Sequence, residues 1–256
     1  MSSSRELTLI EHLSELRRRI FICVIALIIG AMVAFLFWTD VVELLKRPAQ
    51  EVNEGQGVNL IATQVTELLS TSVKVSLVGG FVLALPVILY QVMRFVAPGL
   101  TVSERRYLLL FMPGALLAFC CGLAFAYFVL TPRALPFLLT FGGGAADPLI
   151  RISNYVDVML RLHFWMGLSF ETPVIMYLLG QLGIVSARMF SRFRKYWVVI
   201  AFILGAIITP TFDPLNQTLV AAPLLALYEV GILLAWLAGR TRQRARKEMT
   251  SLPEGQ

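Results

Sequence analysis

The feature that most constrains this sequence is a series of apolar runs, several of them long enough to cross a lipid bilayer. Hydrophobic residues make up 57% of the 256 residues and charged residues only 15%, whereas soluble domains are typically about 45–50% apolar and about 25% charged. A transmembrane helix needs roughly 20 predominantly apolar residues. We therefore predict an all-α integral membrane protein in which residues 1–256 form a single domain of six transmembrane helices. The predicted spans are Ile20–Trp38, Val75–Val96, Tyr107–Leu130, Leu162–Leu182, Trp197–Thr209 and Leu215–Leu237.

Lysine and arginine residues are distributed unevenly between the loops that connect these spans. Sixteen of the 22 lie in the N-terminal segment, the second loop, the fourth loop and the C-terminal tail, and four lie in the other loops. Because cytoplasmic loops carry the excess of Lys and Arg, we predict that both termini are cytoplasmic. Residues 1–19 would then form a cytoplasmic amphipathic helix and residues 240–256 a basic cytoplasmic tail. The long charged stretch before the first span differs from a secretory signal peptide, so we expect the first helix to be retained.

Residue types that carry catalysis or bind metal ions are scarce. The chain has 2 His and 3 Cys, and all three cysteines lie in apolar runs, where they resemble small buried hydrophobic residues. No nucleotide-binding loop, zinc-binding helix motif or nucleophilic serine motif is present. The net charge of +6 is divided among short segments between apolar runs, which argues against nucleic-acid binding. We therefore predict neither an enzyme nor a cofactor or metal site.

One acidic residue, Glu171, lies inside the predicted fourth span in the stretch "LSFETPVIMYLLG". A charge at the bilayer centre costs about 2.5–3.5 kcal/mol on insertion scales, so such a residue indicates a functional site. Three roles are open: a hydrogen-bond anchor for a partner helix, a proton carrier, or the support of a water-filled dent that thins the membrane. We favour the anchor or the dent, because a single acid without titratable neighbours makes a poor proton relay.

Further acidic residues lie in polar segments on both sides of the predicted membrane. "IEHLSELRRRI" carries Glu15, and "FVAPGLTVSERR" carries Glu104 at the start of a helix. The helix macrodipole favours an acid at that position, so Glu104 is either a helix-start residue or an acceptor for a cationic ligand. Asp213 lies between prolines in "TPTFDPLNQT", a pattern typical of a turn or helix cap.

Four motifs, in this order along nearly the whole chain, resemble the TatC family, the multi-span core subunits of the twin-arginine protein translocase. They are "EHLSELRRRI", "FVAPGLTVSERR", "FETPV" and "TPTFDPLNQTLVAAPLLALYEVGI". The resemblance implies a concave, cup-like bundle with short fifth and sixth spans in the bacterial cytoplasmic membrane. It also implies a receptor that binds paired-arginine signal peptides of folded proteins and supports their export, which the proton-motive force drives.

The resemblance further implies roles for individual residues and partners. The implied partners are signal peptides of folded cargo, the single-span subunits TatA and TatB, membrane lipids and further copies of this chain. The matched positions are signal-peptide-binding Glu15, Arg17, Arg19, Phe95 and Glu104; intramembrane or partner-facing Glu171, Thr209 and Gln217; and structural loop residues Pro48 and Asp213.

The chemistry of the side chains agrees with this implied function. Carboxylates accept guanidinium groups through charge-assisted, often bidentate hydrogen bonds, so Glu15 and Glu104 together could hold two arginines. Arg17 cannot hold an arginine directly; it would orient Glu15 or contact a lipid phosphate. A secondary transporter for a small solute is the alternative, although such proteins usually show repeated halves, and this sequence shows none. A passive assembly scaffold is a third possibility.

Overall fold

A computed structural model describes the backbone of residues 9–52, 60–96, 102–140, 150–209 and 213–250. Side chains are described within 11–48, 60–95, 111–136, 150–209 and 213–240. The described chain is almost entirely helical, which confirms the predicted all-α class. A parallel pair of two-residue strands, β1 (Leu60–Ile61) and β2 (Ile150–Arg151), is the exception that the sequence did not predict. The helices are α1 (Leu9–Leu36), α2 (Trp38–Val52), α3 (Glu67–Val96), α4 (Val102–Phe125), a π-helical turn (Ala126–Leu130), α5 (Thr131–Thr140), α6 (Ile152–Leu182), α7 (Ala187–Ile208) and α8 (Pro214–Thr250).

Within the described residues, four helical segments are long and apolar enough to cross a membrane. They coincide with the predicted first, second, third and sixth spans, so the chain is a multi-pass membrane protein. The predicted fourth span lies within α6, which is 31 residues long, and the predicted fifth span ends one residue beyond α7, which is 22 residues long. Six spans, the side on which the termini lie and the cup shape stay predictions. The four segments are Glu11–Leu36, Glu67–Phe95, Phe111–Pro136 and Pro214–Arg240.

Helix α1 carries the charged N-terminal stretch and the first apolar run without a break. It packs antiparallel to α3, and the two backbones touch at a pair of glycines. A Cβ atom added to Gly30 would lie 2.6 Å from the backbone oxygen of Gly80. Small residues let membrane helices approach closely in this way, so the Gly30–Gly80 contact fixes how α1 is aligned along α3.

The prediction that Pro48 is a loop residue is wrong, because Pro48 lies buried inside α2. Val42, Leu45 and Pro48 recur every third residue and form the buried face of this helix. Proline has no N–H to donate to the carbonyl four residues earlier, which is that of Leu44. The Tyr127 hydroxyl, at 3.2 Å, donates to this carbonyl instead. This hydrogen bond connects α2 to the π-helical turn.

Helix α6 lies at the centre of the protein and packs against α3, α4 and α8. Its residues Val156, Met159 and Met166 are almost completely buried in the hydrophobic core. The Tyr155 hydroxyl on the same helix donates a hydrogen bond of 2.6 Å to the carbonyl of Leu45 in α2. Helix α6 therefore positions helix α2, and it also carries the intramembrane residues that lie further along α6.

The end of the molecule where α3 and α6 begin is held together by the buried carboxylate of Glu67. Its Oε2 accepts hydrogen bonds from Thr63 N (2.7 Å), Thr63 Oγ1 (3.3 Å) and Gln64 N (3.3 Å). Its Oε1 accepts from Ser153 N (3.2 Å) and Ser153 Oγ (2.6 Å). One side chain thus joins the loop before α3 to the first turn of α6, beside the β1–β2 pair.

Candidate functional site

A polar cluster forms at the opposite end, where α1 begins and α3 ends. Glu15 and Arg19 are one turn apart on α1 and form an ion pair through the Glu15 Oε1 atom. Arg19 Nη1 also donates to Gln91 Oε1 on α3 at 3.2 Å. The Arg19 and Glu15 side chains are 14% and 26% exposed. The partial burial favours one defined geometry for this ion pair, because water competes less with it than at an open surface.

An aromatic pair lies on the same two helices, one turn from this ion pair. The rings of His12 and Phe95 are stacked with centroids 4.4 Å apart and an interplanar angle of 20°. We call Glu15, Arg19, Gln91, His12 and Phe95 the α1–α3 cluster. It combines a carboxylate, a positioned arginine and an aromatic surface, which together can receive a charged and partly apolar segment.

The sequence prediction placed three members of the α1–α3 cluster in the site and missed two. Glu15, Arg19 and Phe95 were predicted, whereas His12 and Gln91 were not. Their spacing carried a signal: His12 lies three residues before Glu15, and Gln91 lies four residues before Phe95. Residues three or four apart share a face of a helix, so both share a helix face with a predicted site residue.

The other two residues predicted to bind a signal peptide are not part of the described cluster. Arg17 is exposed on α1 and makes no hydrogen bond or ion pair with the described residues. Glu104 lies in the first turn of α4, and its side chain lies outside the described residues. Only residues 97–101 separate the end of α3 from the start of α4, so the chain connection keeps Glu104 within reach of the same end of the protein.

Glu171 lies in the middle of α6 and is only 6% exposed. Its Oε1 atom is buried and has no hydrogen-bond partner among the described residues. Two residues further on, α8 crosses α6 closely, since a Cβ atom added to Gly231 would lie 3.3 Å from the Cα of Pro173. A buried polar atom without a partner is costly, so Glu171 has an open hydrogen-bonding position within the protein.

The connection between α7 and α8 contains the remaining predicted residues. Asp213 caps α8, because its Oδ1 accepts from Leu215 N (2.9 Å) and Asn216 N (3.1 Å). Thr209 is buried at the end of α7, where its hydroxyl donates to Gly205 O at 2.8 Å. The cap chemistry expected for Asp213 is therefore present at the start of α8.

Gln217 lies beside an apolar groove of about 610 Å³ along α7. Its side-chain amide donates to the carbonyl of Phe202 at 2.6 Å. Val199, Ile203 and Ile207 line this groove and are 58%, 54% and 54% exposed. We call this surface the α7 groove. A second apolar helix would cover side chains that this chain leaves open.

Comparison with known proteins places these features in a family. Residues 11–223 match the family model described as "Sec-independent protein translocase protein (TatC)". The Sec-independent protein translocase protein TatC of Aquifex aeolicus (strain VF5) is 42% identical over 241 residues, 93% of this chain and 99% of the relative. The chloroplastic TATC of Arabidopsis thaliana is 41% identical over 240 residues, 94% of this chain and 69% of the relative. A crystal structure of the "Twin Arginine Translocase Receptor- TatC" matches with a TM-score of 0.81 and 42% identity, covering 89% of this chain and 99% of that chain.

Proposed function

Because this chain belongs to the TatC family of Sec-independent protein translocase proteins, we propose that it is the signal-peptide receptor of a twin-arginine translocase. It binds paired-arginine signal peptides of folded proteins and supports their export, which the proton-motive force drives. The protein lies in the bacterial cytoplasmic membrane with both termini in the cytoplasm. The α1–α3 cluster then faces the cytoplasm, where signal peptides arrive.

The observation that carries this proposal is the geometry of Glu15. Both contacts from Arg19 go to Oε1 of Glu15, and Oε2 makes no hydrogen bond with the described residues. Gln91 holds Arg19 from the other side. An arriving guanidinium can therefore bind Oε2 in a charge-assisted hydrogen bond without first breaking the existing ion pair.

A second arginine of the signal peptide needs a second acid, for which we propose Glu104. Its short chain connection to α3 keeps it near the α1–α3 cluster. The stacked rings of His12 and Phe95 offer an apolar surface one turn from Glu15. Exposed Arg17 stays available for lipid phosphate, which would offset part of the positive charge near Glu15.

Site-specific crosslinking in native membranes tests this function. A photoreactive residue replaces Val102, next to the second acid, in cells that express a folded reporter with a twin-arginine signal. We expect a crosslink that disappears when the two arginines of the signal are changed to lysines. A crosslink that persists after this change would contradict the receptor function and favour the transporter or scaffold alternative.

A matched pair of variants tests the role of Glu15 itself. Glu15→Gln removes the charge that receives the arginine and is expected to abolish the crosslink. Glu11→Gln removes an exposed acid from the same helix, one turn away and outside the α1–α3 cluster, and is expected to leave the crosslink intact. Equal crosslinking by the two variants would exclude Glu15 as the receiving group.

We also propose that the α7 groove binds the single transmembrane helix of a TatA-type or TatB-type subunit. The groove is apolar and open, and Gln217 places one amide at its edge. Cysteine replacement of Ile203, which lines the groove, tests this contact by disulfide crosslinking to a cysteine in the partner helix. Leu233 on α8 is similarly exposed, at 56%, but does not line the groove, and is the matched control. Equal crosslinking at both positions would refute a specific groove site.

A further inference from the structure

A basic recess lies where α6 ends, α7 begins and the apolar part of α8 ends. Its cavity volume is about 700 Å³. Two arginines line it, Arg188 on α7 and Arg240 on α8, and no acidic residue is among its described lining residues. Neither arginine forms an ion pair with the described residues, so the recess presents two guanidinium charges.

The sequence builds this recess with small residues and a tight turn. Gly183 ends α6 with φ of 69°, a left-handed conformation that glycine adopts readily. The chain then turns into α7, where Ser186 is the N-terminal cap. A Cβ atom added to Gly180 would lie 3.0 Å from Ala235 O. The helices α6 and α8 therefore touch, and they form the floor of the recess.

An aromatic residue positions one of the two arginines. The Arg240 guanidinium carbon lies 3.8 Å from the ring centroid of Trp236, a distance typical of a cation–π contact. Trp236 is itself 42% exposed and lines the recess. The guanidinium is held over the ring, and its N–H groups make no hydrogen bond with the described residues, so they stay available for an anion.

The position along the helices places this recess at the level of lipid headgroups. The predicted fourth span ends at Leu182 and the predicted sixth span ends at Leu237, so both apolar runs finish beside the recess. Arg188 and Arg240 follow a few residues later. Tryptophan is enriched at this depth, where one side of the ring contacts acyl chains and the other contacts water. By the distribution of Lys and Arg, this is the cytoplasmic leaflet.

From this arrangement we infer that the recess binds the headgroup of an anionic phospholipid of the inner leaflet. Arginine forks match the oxygens of a phosphate group, and basic pockets between transmembrane helices on the cytoplasmic side are suited to anionic headgroups. The apolar rim contacts the acyl chains. A paired-arginine peptide is repelled by the same two charges, so this site is distinct from the α1–α3 cluster.

Native mass spectrometry of the full chain in detergent tests the inference, with dioleoylphosphatidylglycerol as the probe and dioleoylphosphatidylcholine as its uncharged counterpart. We expect the protein to prefer phosphatidylglycerol. A basic residue near a membrane surface contributes about 1 kcal/mol, so each of Arg188→Gln and Arg240→Gln should weaken binding about fivefold. The double variant should weaken it roughly 25-fold if the two effects add. Equal binding of both lipids by the unchanged protein would overturn the inference.

Arg192→Gln is the matched control, because Arg192 is exposed on α7 one turn from Arg188 and does not line the recess. It should bind phosphatidylglycerol as the unchanged protein does. The double lysine variant keeps both charges and should recover most of the binding, which also shows that the fold is intact. If Arg192→Gln weakens binding as much as Arg188→Gln, the attraction belongs to the whole basic surface and the site is refuted.

Soluble glycerol 3-phosphate separates lipid binding from binding of a free phosphate. It shares the phosphate but lacks acyl chains, so it should displace the lipid only at concentrations far above those of phosphatidylglycerol. Displacement at equal concentration would show a site for a soluble anion and would overturn the lipid assignment. An acidic peptide that displaced the lipid at equal concentration would likewise overturn it in favour of a protein partner.

Discussion

Tyr155 tests whether hydroxyl groups of neighbouring elements hold α2 in place. The change Tyr155→Phe removes one oxygen from a side chain that is 4% exposed, and it leaves no large cavity. It also removes the 2.6 Å hydrogen bond to the carbonyl of Leu45. The Leu45 carbonyl keeps its place in the backbone hydrogen bonding of α2, which continues to Val52. The change therefore removes one hydrogen bond of typical net value, and we expect the free energy of unfolding to fall by about 1 kcal/mol.

Thermal unfolding in detergent measures this effect. A loss of about 1 kcal/mol in a protein of this size corresponds to a fall in Tm of roughly 2–4 °C. Tyr196→Phe is the control, because Tyr196 is 53% exposed and its hydroxyl makes no hydrogen bond with the described residues. If Tyr155→Phe and Tyr196→Phe unfold at the same temperature, the hydroxyl contact contributes nothing and the reasoning is refuted.

The proline in α2 extends this test to a double-mutant cycle. Tyr127 donates to the carbonyl of Leu44, which Pro48 leaves without its helical partner. Pro48→Ala restores an N–H that can bond this carbonyl, so Tyr127→Phe should destabilise the alanine variant less than it destabilises the unchanged protein. We expect a coupling energy of about 1 kcal/mol, the typical net value of one hydrogen bond. Additive effects would show that Tyr127 does not compensate for the proline.

Three further substitutions test separate parts of the structure. Glu67→Gln removes at least two of the hydrogen bonds that the carboxylate accepts between the start of α3 and the start of α6. The Tm of this variant should fall well below that of Glu43→Gln, a control at an exposed acid. Equal Tm values for the two variants would contradict the role of the Glu67 carboxylate. Asp213→Ala removes the cap of α8 and should destabilise the protein by about 0.5–2 kcal/mol in thermal unfolding, whereas Asp213→Asn should retain most of the stability. The Glu171→Gln variant keeps a hydrogen-bonding side chain, so cells that carry it should still export a folded reporter, whereas cells with Glu171→Leu should not. Loss of export with the glutamine variant would indicate that Glu171 is an obligatory proton carrier.

The helices were largely predictable because their apolar runs are long, and four of the six predicted spans coincide with helices that can cross a membrane. Helix α2 was not predicted for two reasons. Its buried residues occur only at every third position and are separated by charged residues, and Pro48 was interpreted as a loop residue. Two carbonyls of α2 accept hydrogen bonds from Tyr127 and Tyr155, which lie far away in the sequence. A local pattern could not reveal those contacts.

The candidate site was partly predictable for a related reason. Glu15, Arg19 and Phe95 stand in polar or motif-bearing segments, so their chemistry is visible in the sequence. Gln91 lies inside an apolar run, and its role depends on contact with a helix more than 70 residues away, as the Arg19 hydrogen bond shows. Pairing between helices depends on how they are aligned, which no single helix specifies.

The alignment of α1 and α3 can nevertheless be traced to two glycines. Arg19 precedes Gly30 by 11 residues, and Gln91 follows Gly80 by 11 residues. At a rise of about 1.5 Å per residue, both side chains lie roughly 16 Å from the Gly30–Gly80 contact. Because the helices run antiparallel, these equal offsets bring Arg19 level with Gln91, and Gln91 then holds Arg19 against Glu15. A close backbone contact inside the apolar layer thus determines the geometry of the charged cluster at its end.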